Sequence, residues 1–350
     1  MANIVMADDG ISFDGKVFET KPLGGVESSF VCLAEALARR GHDVHVYNKC
    51  SERLTHHGVE WTPIDTDDQP YGALPDQADL YIANRGDKLI PLVPDAKRMI
   101  FWIHNPAQYL LKWRYLWKLW RRRPVVAFIG TYHAETYPKW APDGGRVVMP
   151  YGIPEPFRTA EAALQVPKPR AIFTSNPLRS LDWLLDIWSR GIYPHVPDAE
   201  LHIFAGAAVY GSVGDAKAQQ MDEILNRAHL MKQEGVVVRG PAPKQQLIDE
   251  LRESRVMLYR GDINETFCLA VGEAQAMGVP TVVQNIGSVV ERVIHGKTGY
   301  VAHDDQTFIE AARKLLTDNS LWQQQHDAAL ISQRQWSWDD AAASFEGMLP

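Results

Sequence analysis

The sequence predicts an α/β protein made of two doubly wound, Rossmann-like domains. Three observations point there. The first is a β–Gly-rich loop–α–β order at the N-terminus, the opening of a doubly wound sheet. The second is length, because 350 residues exceed what one hydrophobic core commonly organises. The third is a proline-punctuated stretch near the middle, Pro154, Pro156, Pro167 and Pro169, with a new strand pattern directly after it.

Residues 3–7 read as a buried first strand. A loop leads to Gly24-Gly25-Val26-Glu27-Ser28-Ser29 and an apolar-periodic helix that runs to Arg40, with Gly41 placed to stop it. Residues 43–47 form the next strand. The Gly24-Gly25 pair lets the backbone approach a ligand at the carboxyl ends of the strands, or it makes a tight turn with no ligand; the pair alone does not choose. Further strands are expected at 59–64, 80–83, 99–103, 125–130 and 147–149. The 99–103 strand ends in His104-Asn105-Pro106, at the edge where such sheets carry functional groups, although a lone histidine is more often a structural hydrogen-bonder.

Residues 109–123, YLLKWRYLWKLWRRR, interleave Trp113, Trp117 and Trp120 with Lys112, Arg114, Lys118, Arg121, Arg122 and Arg123. Basic charge with interfacial aromatics suits a helix lying on an anionic membrane. A helix packing its tryptophans on the domain, with its cations in water, reads equally well.

In the second half, strands are expected at 171–175, 200–205, 236–239 and 256–259. Asn176-Pro177-Leu178-Arg179-Ser180 follows the first of them and leads into a helix. The stretch 264–284, NETFCLAVGEAQAMGVPTVVQ, organises the rest. Asn264-Glu265-Thr266 makes a polar turn, a helix follows to about Gly278, and Pro280 precedes the strand Thr281-Val282-Val283. Glu265 sits just before the helix and Glu273 about two turns inside it, on nearly the same face. The helix start offers backbone N–H groups at Phe267, Cys268 and Leu269 and a positive dipole end, a ready phosphate site. Carboxylates flanking a phosphate site suit a ligand whose hydroxyls flank a phosphate, the shape of a nucleotide sugar. The plainer reading makes Glu265 a cap and Glu273 a surface charge. Against it, the helix is apolar or small nearly all round, and a lone Glu in such a helix needs a partner.

Composition narrows the classes. The chain is 45% hydrophobic and 23% charged with net charge −7, which is globular material and no nucleic-acid binder. Cys32, Cys50 and Cys268 have no metal-ligand spacing and suit a reducing compartment. The N-terminus shows no basic region followed by a long apolar run, and no stretch is long and apolar enough to span a bilayer, so a cytoplasmic location is expected, with membrane attachment at most peripheral.

Glu265 and Glu273 with seven residues between them, then Ala274, Met277, Gly278, Pro280 and Val282-Val283, resemble the signature of the retaining family 4 glycosyltransferases, the glycosyl transferases of group 1. Ile286-Gly287-Ser288, Glu291 and the run Gly296-Lys297-Thr298-Gly299-Tyr300-Val301 extend the match. The resemblance implies the GT-B fold, two Rossmann-like domains facing across a cleft. Its implied divisions are an acceptor-side domain at 1–153, a linker at 154–169, a donor-binding domain at 170–335 and a last helix at 336–350 that crosses back, anchored by Trp336 and Trp338. It implies a retaining, hexosyltransferase-type enzyme. The donor is a nucleotide-diphosphate sugar, UDP- or GDP-linked, and the acceptor a carbohydrate or lipid-linked molecule of cell-surface polysaccharide or glycolipid synthesis. No cofactor or metal is implied, since Arg and backbone amides hold the diphosphate. By resemblance, Glu265 contacts the sugar hydroxyls, Glu273 the ribose, Arg179 the diphosphate, His104 the transferred sugar, and Gly24-Gly25 the donor phosphates and the acceptor. The chain departs from the pattern in four places: Arg179 stands where a Lys is usual, Thr174 or Ser175 where a loop Arg is usual, Gly130-Thr131-Tyr132-His133 where a Ser-rich turn often follows the strand, and Tyr151 where Asn commonly follows the Pro. A nucleotide-sugar epimerase on the same fold, or a non-catalytic membrane-associated binder, are the alternatives.

Overall fold

A computed structural model describes residues 1–21, 23–206 and 211–350, with the backbone alone for 211–216. The chain divides into two compact units, the first comprising Met1–Gly152 and Ser337–Pro350, the second Ile153–Trp336.

Unit 1 carries β1 (Asn3–Asp8), β2 (Asp43–Asn48), β3 (Leu54–His56), β4 (Val59–Pro63), β5 (Gln77–Asn84), β6 (Asp95–Trp102), β7 (Val125–Phe128) and β8 (Arg146–Val148). They form one sheet in the order β3-β4-β2-β1-β5-β6-β7-β8, parallel except for the β3–β4 hairpin. Central strands buried on both faces read as continuous apolar runs, and Ile4, Val5, Met6 and Ala7 of β1 are all buried. The helix Gly25–Arg39 follows β1 and is stopped by Gly41 at φ +86°, as its sequence predicts. The hairpin strand β3 went unread, because Leu-Thr-His is too short to show a period.

Unit 2 carries β9 (Arg170–Phe173), β10 (Glu200–Ile203), β11 (Val236–Val238), β12 (Val256–Leu258), β13 (Thr281–Gln284) and β14 (Gly299–Ala302), all parallel, in the order β11-β10-β9-β12-β13-β14. Renumbered within the unit this is 3-2-1-4-5-6, the dinucleotide-fold order, whose ligand crevice lies where the order reverses, here between β9 and β12. In unit 1 the same reversal falls between β1 and β5.

Two expectations change. Residues 154–169 are not simply an extended linker: Glu155–Thr159 is helical and Phe157 is fully buried inside unit 2, so the proline at position 156 starts a helix instead of stiffening a tether. The last helix, Trp338–Glu346, opens with a Ser337/Asp340 capping box and belongs to unit 1. Of the two tryptophans expected to anchor it, Trp338 is buried, whereas Trp336 is 36% exposed and lies outside the helix. Gly152 is required there, since a Cβ would come 2.3 Å from the Trp338 nitrogen. Among the described residues, no helix is long and apolar enough to cross a membrane.

Candidate functional site

The helix of the 264–284 stretch spans Leu269–Ala276, with Cys268 as a left-handed N-cap. Gly278 follows it at φ +75°, where a Cβ would meet the His326 ring at 2.4 Å. Glu273 therefore lies little more than one turn inside the helix, not two. It is buried, and the partner that such a position demands is Lys244, whose Nζ donates to Oε1 at 2.5 Å. Lys244 opens the helix after the Gly240–Pro243 turn, and its sequence context gave no hint of Glu273.

Glu265 is also buried, at the end of the loop that leaves β12. Arg179, on the loop that leaves β9, donates through Nη1 to Glu265 Oε2, and Tyr259 Oη donates to the same oxygen at 2.8 Å. The Cys268 N–H donates to Oε1 at 3.2 Å. Of the three N–H groups expected for a ligand, that of Cys268 is thus taken by Glu265, while Leu269 begins the helix, where N–H groups have no intrahelical acceptor. Phe267 stacks under the guanidinium of Arg292 at 4.3 Å. Burial opposes the charge on Arg179, but Glu265 and its neighbours hold the arginine pKa above its ordinary value. Burial, and then Glu265, push the Cys268 thiol well up, so it is a neutral SH and no nucleophile.

Two tight backbone approaches fix this loop. Gly261 (φ +100°) and Gly287 (φ +65°) bring 261–262 against 286–287, where a Cβ on Gly287 would lie 2.1 Å from the Asp262 carbonyl oxygen. The Ser288 N–H then donates to the Glu265 carbonyl at 3.1 Å. Arg260, unassigned from sequence, stacks on Trp183 at 4.8 Å and donates to Gln284 at 2.9 Å. Ser288 Oγ and Arg292 Nε are buried without a hydrogen-bond partner among the described residues, beside the same helix start. Arg292 was missed by sequence reading; the available signal was a charged pair, Glu291-Arg292, set between Val289-Val290 and Val293-Ile294.

In unit 1 a second polar set occupies the β1/β5 reversal. Asp8 is fully buried; burial pushes its pKa up, against the nearby Arg85 guanidinium, which lies at 3.3 Å. Asn84 Nδ2 donates to Asp8 Oδ2 at 2.5 Å, and Arg85 Nη2 donates to Glu27 Oε1 at 2.8 Å. His104, 3% exposed, lies at the head of this chain. Its Nε2–H donates to Asn84 Oδ1, so Nδ1 accepts from the Tyr151 hydroxyl. Burial lowers its pKa well below the ordinary histidine value, in keeping with that neutral tautomer. A sugar contact from this ring therefore requires displacing Asn84 or Tyr151. Gly24 (φ −61°) and Gly25 need no glycine conformation, and a Cβ on Gly25 would meet nothing within 4 Å. Asp8, Glu27 and Arg85 were not singled out from sequence; their signal was position at strand ends and a helix start.

The turn that follows β7 holds a structural histidine. His133 is fully buried, accepts the Ile129 N–H at 3.2 Å and donates to the Asn105 carbonyl at 2.8 Å, and burial lowers its pKa to about 4. The unfolded chain binds a proton here below about pH 6.5, which the folded chain binds only below about 4, so stability present above 6.5 is lost as pH falls through that window. The expected loss from this ring is about 3 kcal/mol. NMR titration of His133 checks it, and protonation near the ordinary histidine value would contradict it.

The 109–123 segment resolves in favour of exposure. After a 3₁₀ turn, the helix Trp113–Arg122 buries Tyr115 and Leu119 and leaves Trp113, Trp117 and Trp120 at 75%, 48% and 60% exposure. The three rings stack in a row, with centroids 6.3 and 5.5 Å apart. Lys118 and Arg114 pair with Asp87 and Arg122 holds the Val93 and Pro94 carbonyls, while Lys112, Arg121 and Arg123 make no ion pair among the described residues.

Residues 168–318 match the family described as Glycosyl transferases group 1. The D-inositol 3-phosphate glycosyltransferase of Corynebacterium aurimucosum is 32% identical over 155 residues, 43% of this chain and 35% of that protein. The lipopolysaccharide 1,2-N-acetylglucosaminetransferase of Salmonella typhimurium is 24% identical over 140 residues, 39% of this chain and 36% of that protein. The matching D-inositol 3-phosphate glycosyltransferases of Corynebacterium diphtheriae and Streptomyces avermitilis are covered over 26% and 28% of their length. Among solved structures, sucrose-phosphate synthase from Thermosynechococcus elongatus superposes with a TM-score of 0.75 at 14% identity, over 99% of this chain and 97% of that one. Anabaena HepE in complex with UDP and glucose gives 0.72 at 14% identity, over 100% and 99%. These likenesses show the fold, GT-B. The fold of the whole chain is thus GT-B, and its residues 168–318 are similar in sequence to the glycosyl transferases of group 1.

Proposed function

We propose that the protein moves a sugar from a nucleotide-diphosphate sugar to an acceptor, with retention at the anomeric carbon and without a metal ion. One observation carries the reading. At the β9/β12 reversal of unit 2, Arg179, Glu265 and the start of the Leu269–Ala276 helix converge, with the Glu273–Lys244 pair behind them. In this reading the α-phosphate sits on the free helix-start amides and Arg179, which stabilise the departing diphosphate as the bond to the anomeric carbon breaks. Glu265, released in part from Arg179, receives the sugar hydroxyls, and Glu273 the ribose hydroxyls. The acceptor oxygen bonds to the anomeric carbon from the face the diphosphate leaves, and its proton passes to the leaving phosphate oxygen. Ser288 Oγ and Arg292 Nε, which have no hydrogen-bond partner among the described residues, gain partners on the donor. The usual loop arginine is absent, so Arg179 acts with these groups.

Metal independence rests on what lines the site. The one Asp-x-Asp triplet of the chain, Asp65-Thr66-Asp67, is exposed and lies in unit 1, and the donor site itself offers arginine and amides. A uridine donor is favoured because the similarly folded HepE is described with UDP-glucose. In unit 1, Gly25 and the Asp8–Asn84–His104 chain are the groups we assign to the sugar and acceptor side. The tryptophan row and its unpaired cations suit an anionic bilayer, so we place the acceptor among lipid-linked or cell-surface glycans, with the protein at the inner face of the membrane.

The test is a thermal-shift series with UDP, GDP, ADP, CDP and dTDP and their sugar conjugates on EDTA-treated protein. A ligand at a hundred times its Kd adds about 2.7 kcal/mol to the native state. A shift of several degrees with one nucleotide, lost in Glu273→Ala, is expected. No shift with any of them would remove the donor site and leave the fold as a binder of something else.

A further inference from the structure

The hairpin β3–β4 carries the least expected chemistry in unit 1. Its two-residue turn is His57-Gly58, with φ +45° and +78°, both positive as a type I′ turn demands. Asn, Asp or Gly ordinarily fill the first of these positions, and a histidine there gives up local stability. The neighbouring His56 stacks on His57, ring centroids 4.0 Å apart.

Two carboxylates from separate helices meet these rings. Glu19, on the helix Gly15–Thr20, lies 3.2 Å from His56 Nε2 and 3.6 Å from His57 Nε2, both through Oε1. Glu35, on Gly25–Arg39, lies 3.3 Å from the other nitrogen of His57, Nδ1. The backbone makes room for this: a Cβ on Gly15 would stand 2.6 Å from His56 Cδ2. We infer that Glu19, His56 and His57 form a divalent zinc site, oriented by Glu35.

Hydrogen bonding does not account for the arrangement. One carboxylate oxygen faces two imidazole nitrogens, and the longer of the two separations exceeds a good hydrogen bond. Zinc does account for it. The ligand atoms of the three residues all lie within 4.8 Å of one another. A tetrahedral ion with bonds of about 2.1 Å holds its ligands about 3.4 Å apart, and the two measured separations bracket that value. Two imidazoles and a carboxylate are a zinc donor set with a fourth position for water. Glu35 on the far nitrogen of His57 is the outer carboxylate that fixes a ligating imidazole. The ion would join two helices to an edge hairpin that has only three residues in its outer strand.

The test uses the full chain, stripped with EDTA and titrated with ZnCl₂ in a calorimeter, and with CoCl₂ in a spectrophotometer. One equivalent per chain is expected, with the visible absorption of four-coordinate cobalt. His57→Ala and Glu19→Gln should each abolish the high-affinity phase, and Glu35→Gln should weaken it roughly 10- to 100-fold. His45, flanked by Asp43 and Glu60, is the internal control, and His45→Ala should bind as the parent does. Melting curves in EDTA identify any variant that fails to fold, and the Glu19→Gln result then decides. Zinc binding unchanged in folded His57→Ala or Glu19→Gln, or no binding by the parent, would overturn the site.

Discussion

Glu265→Gln should lower turnover at saturating donor by roughly 10²- to 10³-fold while leaving the chain folded, the scale seen when one preorganised group at a reacting centre is removed. The expectation follows from the geometry around that carboxylate. Arg179 and Tyr259 both donate to Oε2 and the Cys268 amide to Oε1. A carboxamide keeps the shape but cannot accept at both ends, so the arginine loses its counter-charge and the loop loses its register. If the sugar is held by Glu265, the loss falls on kcat more than on KM, because hydroxyl contacts that tighten as the ring flattens act in the transition state. Donor binding should persist, since Glu273–Lys244 and the helix start are untouched. Melting in parallel separates the effect from instability, because an uncompensated Arg179 costs on the order of 1–3 kcal/mol. Near-parental turnover in a folded Glu265→Gln would sink the assignment.

The sequence carried this site further than it carried its surroundings, and the reason is locality. Glu265, Glu273 and the helix that carries Glu273 are neighbours in the chain, so one stretch of twenty-one residues states their spacing, their face and their burial. Arg179 was reachable because it follows a strand. Lys244 was not, since its pairing with Glu273 depends on how the 244–252 helix docks, a tertiary fact with no local period. The same holds for Asp8, Asn84, Arg85 and His104, which three separate strand ends, those of β1, β5 and β6, bring together. The family resemblance makes His104 a group facing a sugar, whereas a lone histidine is more often a structural hydrogen-bonder; in the fold it is the head of a buried hydrogen-bond chain. Boundaries erred by a residue or two at most strand ends, as at 125–130 against Val125–Phe128, and by three and four at the starts of β5 and β6, where polar residues carry the strand before its apolar run begins. The doubly wound class was legible, because buried parallel strands are continuous apolar runs separated by glycine and proline, whereas the strand order within each sheet was not.

The tryptophan row makes the other large prediction. Replacing Trp113, Trp117 and Trp120 together with serine should abolish flotation with vesicles containing phosphatidylserine, and do so without lowering the melting temperature. The rings contribute little to the fold, since they are about half to three-quarters exposed and stack on one another. What holds the helix is Tyr115 and Leu119, which stay buried in the variant. If each indole moves on the order of 100 Å² of apolar surface out of water, the gain is about 2.5 kcal/mol per ring. Losing two such rings already weakens partitioning by more than about 10³-fold. Lys112, Arg121 and Arg123 add about 1 kcal/mol each at an anionic surface, a part that salt screens and neutral lipid lacks. The two contributions are therefore separable: charge-reversal variants should lose the preference for anionic lipid while keeping weak binding to neutral vesicles, and the serine variant should lose both. The rings and the cations must act on one bilayer for this to hold, and they can, since Trp117, Trp120 and Arg121 share the exposed side of a helix only ten residues long. Equal flotation of the parent and the serine variant would show that the row serves something other than lipid, and the acceptor would then have to be sought among soluble glycans.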